Sequence, residues 1–252
     1  ALHRVLDGHE IQKYDQLDIA SDFKNNSKFV FRTSERLRNK NKANIVSFSK
    51  KSFFNIINLC RDTCSYCTYK SEINESKLTM MEPNDVIRLA KLSKKHHCTE
   101  ALLVTGERPE QKYKDAKLWL KKNHFTSTAE YLAHCSELIL NEGVFPHTNA
   151  GNLTKDEMRE LSKTNVSMGL MLENVSDRLR QKDMPHEAAP SKDPDDRLGI
   201  LCNAGELKIP MTTGILIGIG ETFDEIIDSI FAIKRIQKKF PMVHLEFMEW
   251  DI

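Results

Sequence analysis

The sequence predicts an α/β protein built as a partial TIM-type (β/α)6 barrel. From residue 53 onward, short apolar runs alternate with amphipathic segments, a pattern typical of βα units that form a parallel sheet. The fifth run is apolar almost throughout, as strands buried on both faces are. Barrels of this type place their sites at the carboxyl ends of the strands. The six predicted strands are residues 53–58, 101–105, 145–150, 167–172, 211–219 and 243–250.

Helix start signals separate these runs. Polar residues that favour helix starts precede amphipathic segments at residues 86–95 and 129–140. Thr154 and Thr222 are each followed three residues later by glutamate, which is the sequence of a capping box. Another helix is predicted to begin after Asp193. With these helices, the chain alternates between strands and helices as a βα barrel requires.

The composition limits the partners and the location of the protein. The chain has 252 residues, 29% of them charged, and a net charge of +1, which argues against a nucleic acid or a membrane surface held by bulk electrostatics. It is long enough to bury one large core without disulfides. No apolar run is long enough to span a bilayer, and the first residues do not have the pattern of a signal peptide. We therefore expect a cytoplasmic protein that acts on a small molecule.

Two parts of the chain differ in composition. Residues 1–44 are polar and mixed in charge, and they predict a small N-terminal extension. Residues 45–252 contain the predicted barrel. Because the chain ends inside the predicted sixth strand, we expect a barrel that is truncated at its C-terminus.

Three cysteines follow the first predicted strand directly. Cys60, Cys64 and Cys67 have the spacing C-x3-C-x2-C on one short loop. Three thiolates can hold three irons of a 4Fe–4S cluster, and no fourth cysteine lies nearby to bind the last iron. An open iron gives a small ligand a place to chelate. The spacing therefore predicts a catalytic cluster.

Other uses of these thiols remain as alternatives. A structural zinc site could take its fourth ligand from His96, His97 or Cys98, although the spacing lacks the paired knuckles of common zinc sites. An iron–sulfur module without catalysis is a related possibility. Six cysteines in 252 residues are too few for a disulfide framework, which favours a reduced protein.

The cysteine spacing resembles that of the radical S-adenosylmethionine (SAM) superfamily, in which the open iron chelates SAM. The resemblance implies a radical SAM core with two cofactors, a 4Fe–4S cluster and SAM, and makes the three cysteines the ligands of the cluster that cleaves SAM. At the end of the second strand, Thr105, Gly106 and Glu107 resemble the Gly-Gly-Glu motif of the superfamily. That motif binds the SAM amino group, which a carboxylate suits.

Further positions match the superfamily. Tyr66 lies where an aromatic residue flanks adenine, and Gly218 and Ile219 belong to a segment that lies beside adenine. Glu173 and Arg197 match positions that contact the sulfonium end and the carboxylate of SAM. Because arginine binds carboxylates with two parallel hydrogen bonds, Arg197 suits this role.

Two of these assignments have a structural alternative. The fifth run could be a buried strand without any cofactor contact. Arg197 could be a surface arginine that pairs with Asp193 or Asp196.

Two polar residues alternate on the third predicted strand. His147 and Asn149 would face the same side of the sheet, and polar groups inside a barrel need a ligand or a network. They are candidate substrate-binding residues.

A narrower resemblance covers residues from about 45 to 225. Segments around the cysteines, Glu107, His147, Glu173 and Gly218 resemble the CofG subunit of 7,8-didemethyl-8-hydroxy-5-deazariboflavin synthase. The resemblance implies a radical SAM lyase of deazaflavin coenzyme biosynthesis. It would convert 5-amino-5-(4-hydroxybenzyl)-6-(D-ribitylimino)-5,6-dihydrouracil to the deazaflavin with loss of ammonia, through a 5′-deoxyadenosyl radical. The implied partners are a second radical SAM protein that supplies the substrate and a reductant protein.

The sixth strand departs from that family's pattern. The chain reads His-Leu-Glu-Phe-Met-Glu-Trp-Asp from His244, where the family has His-Ile-Gln-Glu followed by apolar residues. The alternative is therefore another radical SAM enzyme, of the biotin-synthase or hydrogenase-maturation type.

Overall fold

The computed structural model describes residues 1–42, 45–46, 48–71, 80–241 and 243–249. Contacts between Cα atoms divide the chain into two compact units, Ala1–Phe48 and Ser49–Ile252. In the described part of the chain, no helix combines the length and the apolar character needed to cross a membrane.

The N-terminal unit is helical. Helices α1 (Leu2–Leu6) and α2 (Gln16–Lys42) are joined by a short 3₁₀ turn, and α2 is interrupted at Asn26, whose φ of −153° is not helical. An ion pair between Arg4 and Asp15 ties the turn to α1. This unit contains no residue of the predicted site.

The second unit is organised around one parallel sheet. Its six strands are hydrogen-bonded in the order in which they occur in the chain, as the sequence predicts for a partial barrel. Because every strand is parallel to its neighbours, all the carboxyl ends lie at one edge. The strands are β1 (Lys51–Ile57), β2 (Glu100–Thr105), β3 (Phe145–Asn149), β4 (Ser167–Gly169), β5 (Met211–Ile217) and β6 (Val243–Glu249).

Helices connect these strands. The predicted capping boxes are present at Thr154 and Thr222, where each side chain accepts the N–H of a glutamate that bonds back to the cap. The helices are α3 (Pro83–Lys95), α4 (Pro109–Lys112), α5 (Lys114–Lys122), α6 (Thr128–Asn141), α7 (Lys155–Leu161), α8 (Pro194–Glu206) and α9 (Phe223–Lys239).

The two faces of the sheet have different surroundings. On the outer face, Phe54, Leu103 and Met168 are fully buried in the core that the helices cover. On the inner face, Phe53 is paired in register with Leu102, yet 63% of Phe53 is exposed. The inner face is therefore open at β1, as in a barrel that does not close.

The fourth and fifth predicted strands end two or more residues earlier in the structure. The fourth ends at Gly169 because Leu172 donates its N–H to the Thr213 side chain and not to the backbone ladder. The fifth ends at Ile217, where Gly218 has a φ of +95° and turns the chain. Trp250, the predicted end of the sixth strand, lies outside the described residues.

Candidate active site

The cysteine loop, residues 58–69, leaves the carboxyl end of β1 and returns to the same sheet edge. Cys60 and Cys64 are partly buried, Cys67 is exposed, and all three are free thiols. At the end of the loop, the hydroxyl of Tyr69 donates to the carbonyl oxygens of Ile57, at 3.1 Å, and Val104, at 3.2 Å. Both ends of the loop are thus fixed to β1 and β2.

Gly106 lets the end of β2 contact the cysteine loop closely. A Cβ at this position would lie 2.0 Å from the carbonyl oxygen of Leu59, so no side chain fits there. The next residue, Glu107, donates its N–H to the Cys60 sulfur at 3.2 Å, and its carbonyl accepts the N–H of Arg61 at 2.7 Å. The turn that resembles the superfamily motif therefore lies directly against the first cysteine.

The Glu107 carboxylate is buried, with 6% of the residue exposed. Its Oε2 accepts the N–H of Asn152 at 2.8 Å, while its buried Oε1 has no hydrogen-bond partner among the residues that the structure describes. The nearest cations to Oε1 are Arg61 at 3.6 Å and Arg108 at 3.8 Å. Burial raises the pKa of Glu107, although the Asn152 N–H and nearby arginines oppose that shift. A ligand ammonium group would supply the partner that Oε1 lacks.

Burial also raises the pKa values of two cysteines. For Cys60 the hydrogen bond from Glu107 opposes the effect, and for Cys64 the pKa rises to about 11 although Lys192 opposes it. A bound metal would have to displace these protons, because thiolates are the ligands.

The donor set fits an iron–sulfur cluster in its chemistry. Within the ranges that the structure describes, no three or more His, Cys, Asp or Glu side chains converge as ligands of one metal ion would. A cubane cluster has a different requirement, because each cysteine binds a different iron. Three free thiols on one loop, beside a buried carboxylate with an unpartnered oxygen, are compatible with that cluster and a ligand on its open iron.

A segment between β4 and α8 holds the other side of the cysteine loop. Thr63 donates its N–H to Ala188 at 2.7 Å, and Ser65 donates its N–H to Pro185 at 3.1 Å. The Tyr66 hydroxyl lies 2.9 Å from His186 Nε2, and burial raises the pKa of Tyr66 and lowers that of His186 to about 4. Tyr66 thus has a protein partner, and its proposed contact with adenine stays a prediction.

Glu173 follows β4 with a left-handed φ of 63° and forms an ion pair with Lys192. Burial opposes ionisation of Glu173, but Lys192 and Arg197 outweigh it, so the pKa of Glu173 is lowered. Glu173, Lys192 and Arg197 thereby form a charged cluster near the cysteine loop.

Arg197 is not the surface arginine of the alternative interpretation. It is 4% exposed and donates to the backbone carbonyls of Ser191, at 2.9 Å, and Met171. Asp193 instead caps α8 and pairs with Arg180. That alternative is wrong because the arginine is buried and bonds to backbone carbonyls, while its charge opposes the effect of burial on the pKa values of Glu173 and Glu107.

The turn after β5 contains Gly218 and Ile219. Both backbone N–H groups donate to the Glu221 carboxylate, at 2.8 and 2.9 Å. Glu221 therefore stabilises this turn, while Thr222 caps α9. The role of Gly218 and Ile219 beside adenine stays a prediction.

His147 and Asn149 have different surroundings on β3. His147 is 4% exposed, and its Nδ1 lies 2.7 Å from the Ser167 hydroxyl. Burial lowers the pKa of His147 to about 4, against the effect of Glu100. For the Asn149 carboxamide, by contrast, the described residues provide no hydrogen bond. Asn149 is thus the better placed of the two to bind a substrate.

Sequence reasoning missed several residues of this site. Lys192 pairs with Glu173, Asn152 binds Glu107, and Ser191 bonds to Asp62 of the cysteine loop. Their partners lie 19 to 129 residues away in the chain. The local signal in the sequence is Asp62, a carboxylate between the first two cysteines, although the sequence does not show that it is buried.

Comparisons with known proteins give the family and homologues of the chain. Residues 54–233 match the model of the Radical SAM superfamily. The chain is 43% identical over 197 residues to the 7,8-didemethyl-8-hydroxy-5-deazariboflavin synthase of Methanopyrus kandleri, covering 78% of this chain and 59% of that protein. The identity is 45% over 207 residues with the synthase of Methanococcus maripaludis strain C5, covering 82% and 57%. FO synthase of Mycobacterium tuberculosis is 39% identical over 201 residues, which are 77% of this chain and 24% of that protein.

Solved structures share the fold. The FeFe-hydrogenase maturase HydG from Carboxydothermus hydrogenoformans matches with a TM-score of 0.77 and 21% identity, covering 98% of this chain and 55% of HydG. Methylornithine synthase PylB matches with a TM-score of 0.72 and 16% identity, covering 100% of this chain and 68% of PylB. The chain spans between about half and two thirds of the length of the deazariboflavin synthases that it matches.

Proposed function

Because the chain belongs to the radical SAM superfamily, we propose that it forms 7,8-didemethyl-8-hydroxy-5-deazariboflavin, the product after which its curated relatives are named. The substrate would be the hydroxybenzyl adduct of a ribityl-substituted dihydrouracil, and ammonia would be lost. The observation that carries this proposal is the identity of 43–45% over about 200 residues with those synthases.

The residues at the sheet edge suit this chemistry. Cys60, Cys64 and Cys67 would hold the cluster, and Glu107 Oε1 would accept a hydrogen bond from the SAM amino group. When bound, the cluster and SAM supply the one-electron chemistry that removes a hydrogen atom from the substrate. Arg197, buried beside Glu173, would provide positive charge for the SAM carboxylate.

Lys192 affects how Glu173 could act. The predicted contact of Glu173 with the sulfonium end of SAM requires negative charge, and the lowered pKa keeps Glu173 ionised at neutral pH. In the structure Lys192 neutralises that charge. We therefore expect SAM and Lys192 to share the Glu173 carboxylate.

The inner face of the barrel supports a substrate position beneath SAM. Asn149 is in register with Val104, and Val104 with Asn55, so a row of side chains crosses the open sheet toward β1. Asn149 would hydrogen-bond an amide of the uracil-derived ring. His147, bonded to Ser167, would shape the floor of this space rather than exchange protons.

The partners and the location are part of the same proposal. A second radical SAM protein would make the adduct, a reductant protein would supply electrons, and the reaction would take place in the cytoplasm. These assignments follow from the chemistry proposed for the relatives.

The test is an anaerobic assay of the iron-reconstituted protein with reductant, SAM and the adduct, followed by chromatography. We expect 5′-deoxyadenosine and the fluorescent deazaflavin to appear together. If 5′-deoxyadenosine forms without deazaflavin, the substrate is wrong and another radical SAM reaction must be sought. If neither forms although SAM binds, the proposed activity is wrong for this chain.

A further inference from the structure

Ser191 connects three parts of the site. It is 2% exposed and lies in the 3₁₀ turn Pro190–Lys192 before α8. Its hydroxyl donates to Oδ2 of Asp62 on the cysteine loop. Its carbonyl oxygen accepts from Arg197 Nε at 2.9 Å and from Asn152 Nδ2 at 3.1 Å. One residue thus contacts the cysteine loop, the arginine of α8 and the turn after β3.

Asp62 is the cysteine-loop end of this connection. It is 2% exposed and lies two residues after Cys60. Its second oxygen, Oδ1, is buried and has no hydrogen-bond partner in the described part of the chain, and Arg61 Nε is 3.8 Å away. The Ser191 hydroxyl is therefore the one hydrogen-bond donor that the described residues offer to this side chain. Removing it would leave a buried carboxylate with neither oxygen satisfied, which is costly.

Asn152 is the second connection. Its side chain donates to the Ser191 carbonyl, and its backbone N–H donates to Glu107 Oε2. A shift of Ser191 would therefore move Asn152 and, with it, the N–H group that binds the Glu107 carboxylate. Arg197, the third contact, lies close enough to Glu107 and Glu173 to affect the pKa of both.

Local capping does not explain the Ser191 side chain. A serine in a short helical turn commonly bonds to backbone groups of its own turn. Here the hydroxyl instead bonds to a residue 129 positions earlier, on a loop that carries three cysteines. The contact therefore fixes two segments relative to each other.

We propose that Ser191 is a positioning residue, which holds the cysteine loop in register with the two residues that would bind the charged ends of SAM, Glu107 and Arg197. The inference rests on the cofactors of the proposed function and adds a residue to which no role has been given. Sites of this kind tolerate displacements of only about 0.5 Å in their supporting residues. Removing this one hydroxyl should therefore alter both the cluster and the SAM site.

The experiment compares three variants of the iron-reconstituted protein. Ser191→Ala removes the hydroxyl, and Ser191→Thr keeps a hydroxyl at the same position. Ser93→Ala is the matched control, since Ser93 is also buried but donates to Leu89 within α3 at 2.8 Å. For each protein, iron content, the dissociation constant for SAM and the electron paramagnetic resonance spectrum of the reduced cluster, with and without SAM, are measured.

Ser191→Ala should retain iron, bind SAM about tenfold more weakly and show an altered SAM-induced spectral change, because a hydrogen bond to a charged group is lost. Ser191→Thr should restore the affinity, and Ser93→Ala should match the wild type. Should Ser191→Ala fail to bind iron, a normal Ser191→Thr protein would still support the role of the hydroxyl.

Two results would overturn the inference. If Ser191→Ala has the affinity and the spectrum of the wild type, Ser191 does not position the site, and the proposed function is untouched. If the iron-loaded wild type binds no SAM, the inference and the proposed function fail together.

Discussion

At Glu107 the two carboxylate oxygens have different surroundings. Oε2 accepts a backbone N–H, whereas Oε1 is buried and receives no hydrogen bond from any described residue. A half-satisfied carboxylate costs stability unless a ligand completes it. This residue therefore provides a direct test of cation binding next to Cys60.

Replacing Glu107 with Gln should weaken SAM binding by about ten- to a hundredfold, because a neutral amide forms a weaker bond to an ammonium group. Iron content should stay the same, since the Cys60 contact of Glu107 is made by its backbone N–H. Equilibrium dialysis of the anaerobic protein measures the affinity. Unchanged affinity would remove Glu107 from the SAM site.

His147 gives a prediction about pH. Its pKa is about 4 in the folded protein against an ordinary value of 6.5, because it is buried. Between these values the unfolded chain binds more protons, so stability falls as the pH decreases from 6.5 toward 4, by up to about 3 kcal/mol.

Urea unfolding at several pH values measures this effect. His147→Gln should lose less stability than the wild type as the pH falls through that window. Above pH 7 the plots of stability against pH should run parallel for the two proteins, because the wild-type imidazole is then mostly neutral in both the folded and the unfolded state. Equal slopes from pH 4 to 6.5 would contradict the lowered pKa.

The three cysteines could be singled out from the sequence as candidate ligands because their spacing is local. Lys192 and Ser191 could not, because their partners, Glu173 and Asp62, are brought near them only by the fold. Arg197 shows the same limit, since its neighbours in the chain are aspartates, whereas its side chain bonds to backbone carbonyls. Local sequence indicates which groups are present but not which of them meet.

At the scale of elements, the ends of β1 and β2 are held together by backbone contacts. Gly106 donates its N–H to Ile57 at 3.0 Å, and its Cα faces the Leu59 carbonyl. The cysteine loop and the Glu107 turn therefore cannot move independently.

Gly106→Ala should destabilise the protein by several kcal/mol and reduce iron binding, because the new Cβ would lie 2.0 Å from backbone oxygen that cannot shift cheaply. Gly199→Ala is the control, since Gly199 lies exposed in α8 with nothing within 4 Å of a new Cβ. That change should be neutral or stabilising by up to about 1 kcal/mol. Thermal unfolding measures the stability of both variants, and iron analysis measures how much iron each one binds. A Gly106→Ala protein as stable as the wild type would contradict the close contact.

Periodicity and helix start signals predicted the six strands and most helices between them, but they did not give α4 or α5, and they placed the ends of β4 and β5 too late. Helices α4 and α5 were not predicted because they follow Arg108, whose left-handed φ of 36° turns the chain, and because α4 has only four residues. The early end of β4 depends on the Thr213 side chain, which belongs to the neighbouring strand. Such ends are set by tertiary hydrogen bonds, which a single segment does not reveal.

At the scale of the whole molecule, the six cysteines fall into two sets. Cys60, Cys64 and Cys67 share one loop, whereas Cys98, Cys135 and Cys202 lie apart from it, with Cys135 fully buried. The parallel sheet brings its carboxyl ends together beside the first set alone. The architecture therefore places only the first set at the sheet edge where the proposed cluster would bind.

Converting any one of Cys60, Cys64 or Cys67 to Ala should lower the iron content well below the roughly four irons per chain expected for the cluster type. Cys98→Ala and Cys202→Ala, which change partly buried cysteines elsewhere, should keep the wild-type content. Iron and sulfide analysis after anaerobic reconstitution measures this. Full iron loading in a Cys64→Ala protein would refute the ligand assignment.

Tyr69 has a thermodynamic consequence for metal uptake. By bonding to the Ile57 and Val104 carbonyls, it closes the cysteine loop at its far end with protein contacts alone. Closing a free loop of about twelve residues costs roughly 2 kcal/mol of conformational entropy. Folding of the barrel offsets that cost through this contact and the backbone bonds of the loop, so a cluster would bind to a loop that the protein has already ordered. Without the tyrosine hydroxyl, a larger part of the ordering would fall to cluster binding.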